Sequence, residues 1–176
     1  MKQAKWVLGL CALATNVCGQ TQQLKEAGLQ FELPNEKWEA TPVQEDHGIT
    51  AYIYKREAIT DPDGLQVIPN IAFVIESVPD STDVIVYSMQ KRMNMPFEVK
   101  EVFSHDDKKA KLKYDFAVGY KGVYKDSHEL LHTIYVVHLI NGNSGVQVIM
   151  DATSELFDQC DKEFIKALRS IEAVGK

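Results

Sequence analysis

Two periodicities divide this chain. Alternation with period two, the mark of a half-buried strand, runs through residues 29–33 (LQFEL), 97–104 and 110–120, while β-branched and aromatic residues mark strands at 49–57 (ITAYIYKRE) and 67–77 (VIPNIAFVIES). In 67–77, Ile71, Phe73 and Ile75 share a face, and Pro69 keeps the start of the strand outside the ladder or on an edge. Residues 97–104 alternate with one slip, as a bulge would give. In 110–120, Leu112, Tyr114, Phe116, Val118 and Tyr120 alternate with lysines and small residues. Gly119, Gly122 and Asp126 then mark a bend. The tetrapeptide Asp61-Pro62-Asp63-Gly64 is a turn, since proline presets φ and glycine supplies a positive one. It lacks the further ligands of a calcium loop. Residues 21–28 are polar and read as frayed, and Trp38 reads as a ring plugging one end of the core.

The helical period appears twice. Residues 84–95 follow an N-cap at Asp83 and stop at Pro96, with Ile85, Met89, Arg92 and Met93 along one side. Methionine at helical spacing reads as core filler rather than a soft-metal set. Near the C-terminus, Leu156, Phe157, Cys160, Phe164, Leu168 and Ile171 form an apolar stripe, with Asp158, Asp161, Lys162, Lys166 and Arg169 turned to water. This helix is capped at Thr153 or Ser154 and covers a sheet.

The stretch the fold is built around is residues 127–171. It holds a long apolar run, the hairpin loop 141–145 (NGNSG), a second apolar run and the terminal helix. Both runs are apolar at nearly every central position, as strands covered on both faces are. The same stretch holds the one catalytic-looking motif, His128-Glu129-Leu130-Leu131-His132, extended by His138. On a helix, histidines four apart share one zinc while the glutamate activates water. In HExxHxxGxxH the glycine turns the chain so that the third histidine reaches the metal. That position is Tyr135, inside the strand-prone run Thr133-Ile134-Tyr135-Val136-Val137. The stretch therefore reads as strand, with His128 and His132 roughly 13 Å apart along it at about 3.3 Å per residue. No catalytic, metal or cofactor site is assigned. A zinc peptidase built on His128, His132, His138 and base Glu129 is the alternative. His105 beside Asp106 and Asp107 reads as a solvated turn.

Residues 1–19 resemble a secretory leader, with Lys2 and Lys5 ahead of an apolar stretch too short to span a bilayer and an exit at Val17-Cys18-Gly19. Neither Cys11 nor Cys18 follows a convincing lipobox. Cleavage before Gln20 moves the formal charge from −6 to −8 by removing two lysines. An acidic chain without basic runs has no footprint for nucleic acid or anionic lipid. Cys160 is then the lone cysteine, without a partner for a disulfide.

The order of strands and helices, with Phe31-Glu32-Leu33-Pro34 followed by Trp38 and a closing helix from Glu163-Phe164 to Ser170-Ile171, resembles the PsbP-like superfamily. That group includes extrinsic photosystem II subunits, Ran-binding relatives and small exported bacterial proteins. The resemblance covers most of 29–172 and implies a non-catalytic binding or accessory role. The expectation is a leader (1–19), a flexible N-terminus (20–28) and one domain (29–176). That domain is α+β, a central antiparallel β-sheet flanked by helices on both faces in an α/β/α sandwich. The protein is expected to be exported, periplasmic or extracellular, without a membrane span after cleavage. Its partner is an unnamed protein or small molecule. A small-ligand carrier would need a cavity near Trp38 or under the 82–95 helix.

Overall fold

The computed structural model describes residues 20–105 and 111–175. The expected leader lies outside the described residues, as do Asp106, Asp107 and Lys108 of the polar turn. The first element corrects the sequence expectation. Thr21–Leu24 is a strand (β1) rather than a frayed tail, joined through a 3-10 turn at Lys25–Ala27 to β2 (Leu29–Glu32). Leu24 and Ala27 are buried between polar neighbours, and the backbone here is satisfied from far along the chain. Asn141 Nδ2 donates to the Ala27 carbonyl at 2.7 Å and Ser144 Oγ to the Glu26 carbonyl at 2.9 Å.

The main sheet has eight antiparallel strands. They are β3 (Trp38–Ala40), β4 (Gln44–Asp46), β5 (Ile49–Arg56), β8 (Asn70–Ser77), β9 (Glu98–Ser104), β10 (Ala117–Lys125), β11 (Leu131–Asn141) and β12 (Ser144–Thr153). Their order is β3-β5-β8-β12-β11-β10-β9, with β4 also on β5. A two-strand ribbon, β6 (Ile59–Thr60) and β7 (Gln66–Val67), flanks the Asp61 turn, where the Asp61 carboxylate accepts the amides of Asp63 and Leu65. β13 (Glu172–Ala173) pairs with the free edge of β2.

The β11–β12 hairpin is central. Asn141 pairs with Ser144, so the connection is two residues rather than the expected five, and Gly142 takes a left-handed φ of 58°. Residues 133–140 are all buried. Tyr135, Val137 and Leu139 point to one face, with Val146, Val148 and Met150 of β12 and Ile71, Phe73 and Ile75 of β8. α2 (Ser154–Arg169) lies on that face, burying the predicted stripe from Leu156 to Leu168. Cys160 sits wholly inside, and burial pushes its thiol up to about 11. Trp38 is buried, its indole N–H donating to Glu163 of α2 at 2.7 Å, and Arg56 closes on the same carboxylate at 3.0 Å.

Ile134, Val136 and His138 point to the opposite face, where a smaller cluster forms with Phe97, Val99, Tyr120 and Tyr124. Here α1 (Val84–Arg92) packs over β10 and β11. Its cap is as predicted, Asp83 accepting from the amides of Ile85 and Val86. Its stripe is not. Ile85, Met89 and Met93 are 59%, 62% and 86% exposed, and the buried residues are Tyr87 and Ser88. In so short a helix, with Val84, Ile85 and Val86 covering every direction, apolar spacing cannot select the inner face. Side-chain hydrogen bonds select it instead.

The strand predicted at 110–120 is displaced. β10 starts at Ala117, and Leu112 and Tyr114 are buried from irregular backbone before it. Gly119 and Gly122 lie inside the strand, where an aromatic ring covers each. A Cβ at Gly119 would stand 2.2 Å from the Phe103 ring, and one at Gly122 would stand 2.3 Å from Phe97. Across the sheet, a Cβ at Gly145 would stand 2.7 Å from Tyr87 of α1. Urea unfolding is expected to show Gly119→Ala destabilised by about 1–3 kcal/mol through overpacking. Phe164→Ala is expected to lose about 3–5 kcal/mol through an unfilled cavity between α2 and the sheet.

Candidate functional site

The HELLH run is neither helix nor, at its start, strand. Asp126 folds it into a turn, its carboxylate accepting the amides of His128 and Leu130 at 2.8 and 2.9 Å. Glu129 takes a φ of 63° and pairs with Lys125. His128 and Glu129 are exposed in this turn, and β11 begins only at Leu131. This corrects the expectation that the motif lies in a strand: the aspartate offers the backbone amides a local acceptor that the ladder would otherwise supply. His132 is on the strand, its Nδ1 bonded to Asp151 at 2.8 Å and its ring beside Tyr124. Tyr124 donates to the other oxygen of Asp151 at 2.7 Å. His138 is six residues further on, roughly 20 Å along the strand at about 3.3 Å per residue. The alternative zinc set His128, His132, His138 and Glu129 is therefore not brought together, and no group of three metal-ligating side chains forms among the described residues.

His138 is the most enclosed polar side chain described, with 0% of its surface exposed. Its Nδ1 bonds Ser88 Oγ of α1 at 2.9 Å, and Ser88 Oγ reaches the Tyr120 hydroxyl at 2.8 Å. Tyr87 and Tyr120 pack edge-on against the ring. Its Nε2 has no hydrogen-bond partner. Burial holds the imidazole well below its usual range, at about 4, helped by Lys91 and opposed by Gln147 and Glu76. Glu76 itself takes the Tyr87 hydroxyl and the Lys91 ammonium. The cluster is a polar lock seating α1, because every group in it faces another element of the chain rather than a cleft.

Two surfaces remain. The first adjoins α1. The part of its sheet face built by β5, β8 and β12 carries Ala51, Ile53, Ala72, Val74 and Ile149, each half-buried. The same face carries Glu76, which takes Tyr87 and Lys91 of α1, and α1 itself exposes Ile85, Val86, Met89 and Met93. The second is an open groove of about 940 Å³ on the α2 side. It is lined by Lys162, Ile165, Lys166 and Arg169 of α2, by Lys113, Asp115 and Phe116, and by Glu32 and Glu172, so that basic and acidic side chains are mixed along it. The places where a carrier's cavity was expected are occupied by side chains: Trp38 packs on Phe164, and Tyr87, Ser88 and His138 fill the space under α1. Sequence reasoning missed both surfaces. A signal for the first is present, since β5 and β8 are apolar on both faces and α1 is too short to cover that width.

The fold so described, an antiparallel sheet with two helices, is PsbP-like. Solved structures carry this likeness. The solution structure of cyanobacterial PsbP from Synechocystis sp. PCC 6803 matches with a TM-score of 0.55 at 15% identity, over 94% of this chain and 98% of that one. LpqN of Mycobacterium tuberculosis, described as involved in cell envelope biogenesis, matches with a TM-score of 0.53 at 15% identity, over 87% and 83%. A Bacteroides thetaiotaomicron VPI-5482 protein matches with a TM-score of 0.55 at 11% identity. That match covers 90% of this chain, which spans about half (49%) of that one. No family model matches the chain, and no curated protein matches it in sequence.

The histidine lock has a titration signature. His138 takes up its proton near 6.5 when unfolded and near 4 when folded, so between these values the unfolded chain binds more protons. Stability is full above pH 6.5 and falls as pH drops toward 4, by about 3 kcal/mol at 1.36 kcal/mol per pKa unit. Unfolding free energies at pH 7 and pH 4.5 are expected to differ less in His138→Gln than in the native chain. An unchanged difference would contradict burial as the origin of the shift.

Proposed function

We propose that this protein is an exported, non-catalytic accessory protein of the cell envelope or periplasm that works by binding another polypeptide. The observation that carries this reading is the apolar surface made by the outer row of α1 and the adjoining half-covered face of β5, β8 and β12. Apolar side chains exposed together on one helix mark an interaction site, and methionines adapt such a surface to its partner. A convex helix face cannot enclose a small molecule, so its occupant is a macromolecular surface. The chain's net charge of −6 disfavours nucleic acid and anionic lipid. That leaves a polypeptide with an apolar face.

Three further facts support the reading. The residues that invited an enzymatic one are spread apart: His128 and Glu129 lie in an exposed turn, His132 bonds Asp151 on the sheet, and His138 bonds Ser88 of α1. Among the described residues no helix is long and apolar enough to cross a membrane. The fold neighbours include a protein described as involved in cell envelope biogenesis.

The test uses Met89→Asp combined with Met93→Asp. Both positions are exposed, so unfolding free energy is expected to stay within about 0.5 kcal/mol of the native chain. The native protein is used to isolate a stoichiometric partner from envelope extract. Binding is then measured with that partner purified, and the double variant is expected to weaken it at least tenfold. Undiminished affinity, or uptake by phospholipid vesicles in place of any protein, would overturn the proposal.

A further inference from the structure

We infer that Met89 and Met93 form a paired oxidation site, at which a peroxide reversibly converts the outer row of α1 from apolar to polar. The inference rests on the proposed binding role of α1 and adds a regulation to it.

The chain sorts its methionines by exposure. Met150 of β12 is wholly buried in the main core, and Met95 is half-buried against the cluster of Phe97, Ile134 and Val136. Met89 and Met93 are 62% and 86% exposed. Met1 lies outside the described residues. Methionine inside a fold fills irregular gaps, and at these two exposed positions there is no gap to fill. Leucine has nearly the same helix propensity, so helix formation does not require the thioether either. What methionine adds over leucine at a wet position is flexibility and a sulfur that accepts oxygen. Residues four apart share one side of a helix, so both sulfurs belong to one surface, beside exposed Ile85.

The step balances with hydrogen peroxide as oxidant. A sulfur lone pair attacks one peroxide oxygen, the O–O bond breaks, an S–O bond forms and the second oxygen leaves as water. Sulfur gives up two electrons and the peroxide takes them. In the return step two thiols of a reductant become a disulfide and the oxygen leaves as water.

The contacts that seat α1 use neither sulfur. Tyr87 donates to Glu76 at 2.8 Å, Ser88 bonds His138 at 2.9 Å, and Arg92 donates to the carbonyls of Met95 and Phe97 at 2.8 Å each. Two added oxygens therefore change the outer surface of the helix without unseating it. An oxygen buried against an apolar partner without a hydrogen-bond donor is unfavourable, so binding falls while the fold stands. Oxidation at Met150 would do the opposite, placing a polar group inside the sheet's core.

The test treats the folded protein with hydrogen peroxide and maps added oxygen by peptide mass spectrometry over time. Met89 and Met93 are expected to react about tenfold or more faster than Met150, with Met95 slower than either exposed residue. The form carrying both sulfoxides is expected to unfold thermally as the native chain does and to leave a hydrophobic-interaction column earlier. Its affinity for the partner isolated with native protein is expected to fall about tenfold. Treatment with the two methionine sulfoxide reductases, one for each sulfoxide epimer, is expected to restore it. Met89→Leu/Met93→Leu is expected to bind like the native chain and to keep its affinity after peroxide. Equal oxidation at Met150, unchanged affinity of the doubly oxidised form, or equal peroxide sensitivity in the leucine variant would each overturn the inference. Undiminished binding by Met89→Asp/Met93→Asp would sink the binding role and this inference together. Lost binding in that variant beside unchanged affinity of the sulfoxide form would sink the regulation alone.

Discussion

Everything in this fold follows from a hairpin that cannot face water on either side. β11 and β12 form consecutive ladders with β10 and β8, so their backbone groups are satisfied inside the sheet. Their side chains are another matter. Tyr135, Val137 and Leu139 require a cover on one face and Ile134 and Val136 on the other. The chain solves the two problems differently. One face receives a sixteen-residue helix with a continuous apolar stripe. The other receives nine residues held by Tyr87, Ser88 and a buried histidine. The first solution closes a core. The second seats a helix while leaving its apolar row and the sheet beside it in contact with solvent.

That contrast explains what the sequence disclosed. α2 was legible because Leu156, Phe157, Cys160, Phe164 and Leu168 repeat at steps of three and four over a long run, where only one face can be apolar. β5, β8 and the central hairpin were legible from β-branched and aromatic density. α1 was legible in its cap and existence but not in its orientation, since Ser88 and Tyr87 gain their value only once His138 and Glu76 stand opposite them. The start of β10 was misplaced because Leu112 and Tyr114 continue its alternation without joining its ladder. At 126–130 the strand that the β-prone run 133–137 suggests does not extend back, because one carboxylate collects two amides. The order of the N-terminal turn was invisible because the donors to its Glu26 and Ala27 carbonyls lie on Ser144 and Asn141, more than a hundred residues away.

The likeness of element order to the PsbP-like group is legible in the sequence, and solved structures at 11–15% identity share the fold with TM-scores of 0.53–0.55. At that distance the fold is shared while side chains are not, so the surfaces of this chain are its own. They divide by chemistry. The α1 side is apolar and nearly free of charge along its outer row, and the α2 groove mixes ammonium, carboxylate and ring.

The bare glycines under rings set a rule for how this sequence can drift. Phe103 and Phe97 occupy the space where side chains of Gly119 and Gly122 would be, and Tyr87 does the same above Gly145. Each pair is one volume shared by two positions. A lineage can shrink the ring first and enlarge the glycine afterwards, but the reverse order passes through an overfilled sheet. At Gly145 that history also moves a helix, because the ring that would have to shrink is the one that seats α1. Descendants that rebuild this pair would therefore carry their exposed apolar row at a new angle, and a change inside the sheet would be felt first by whatever binds outside it.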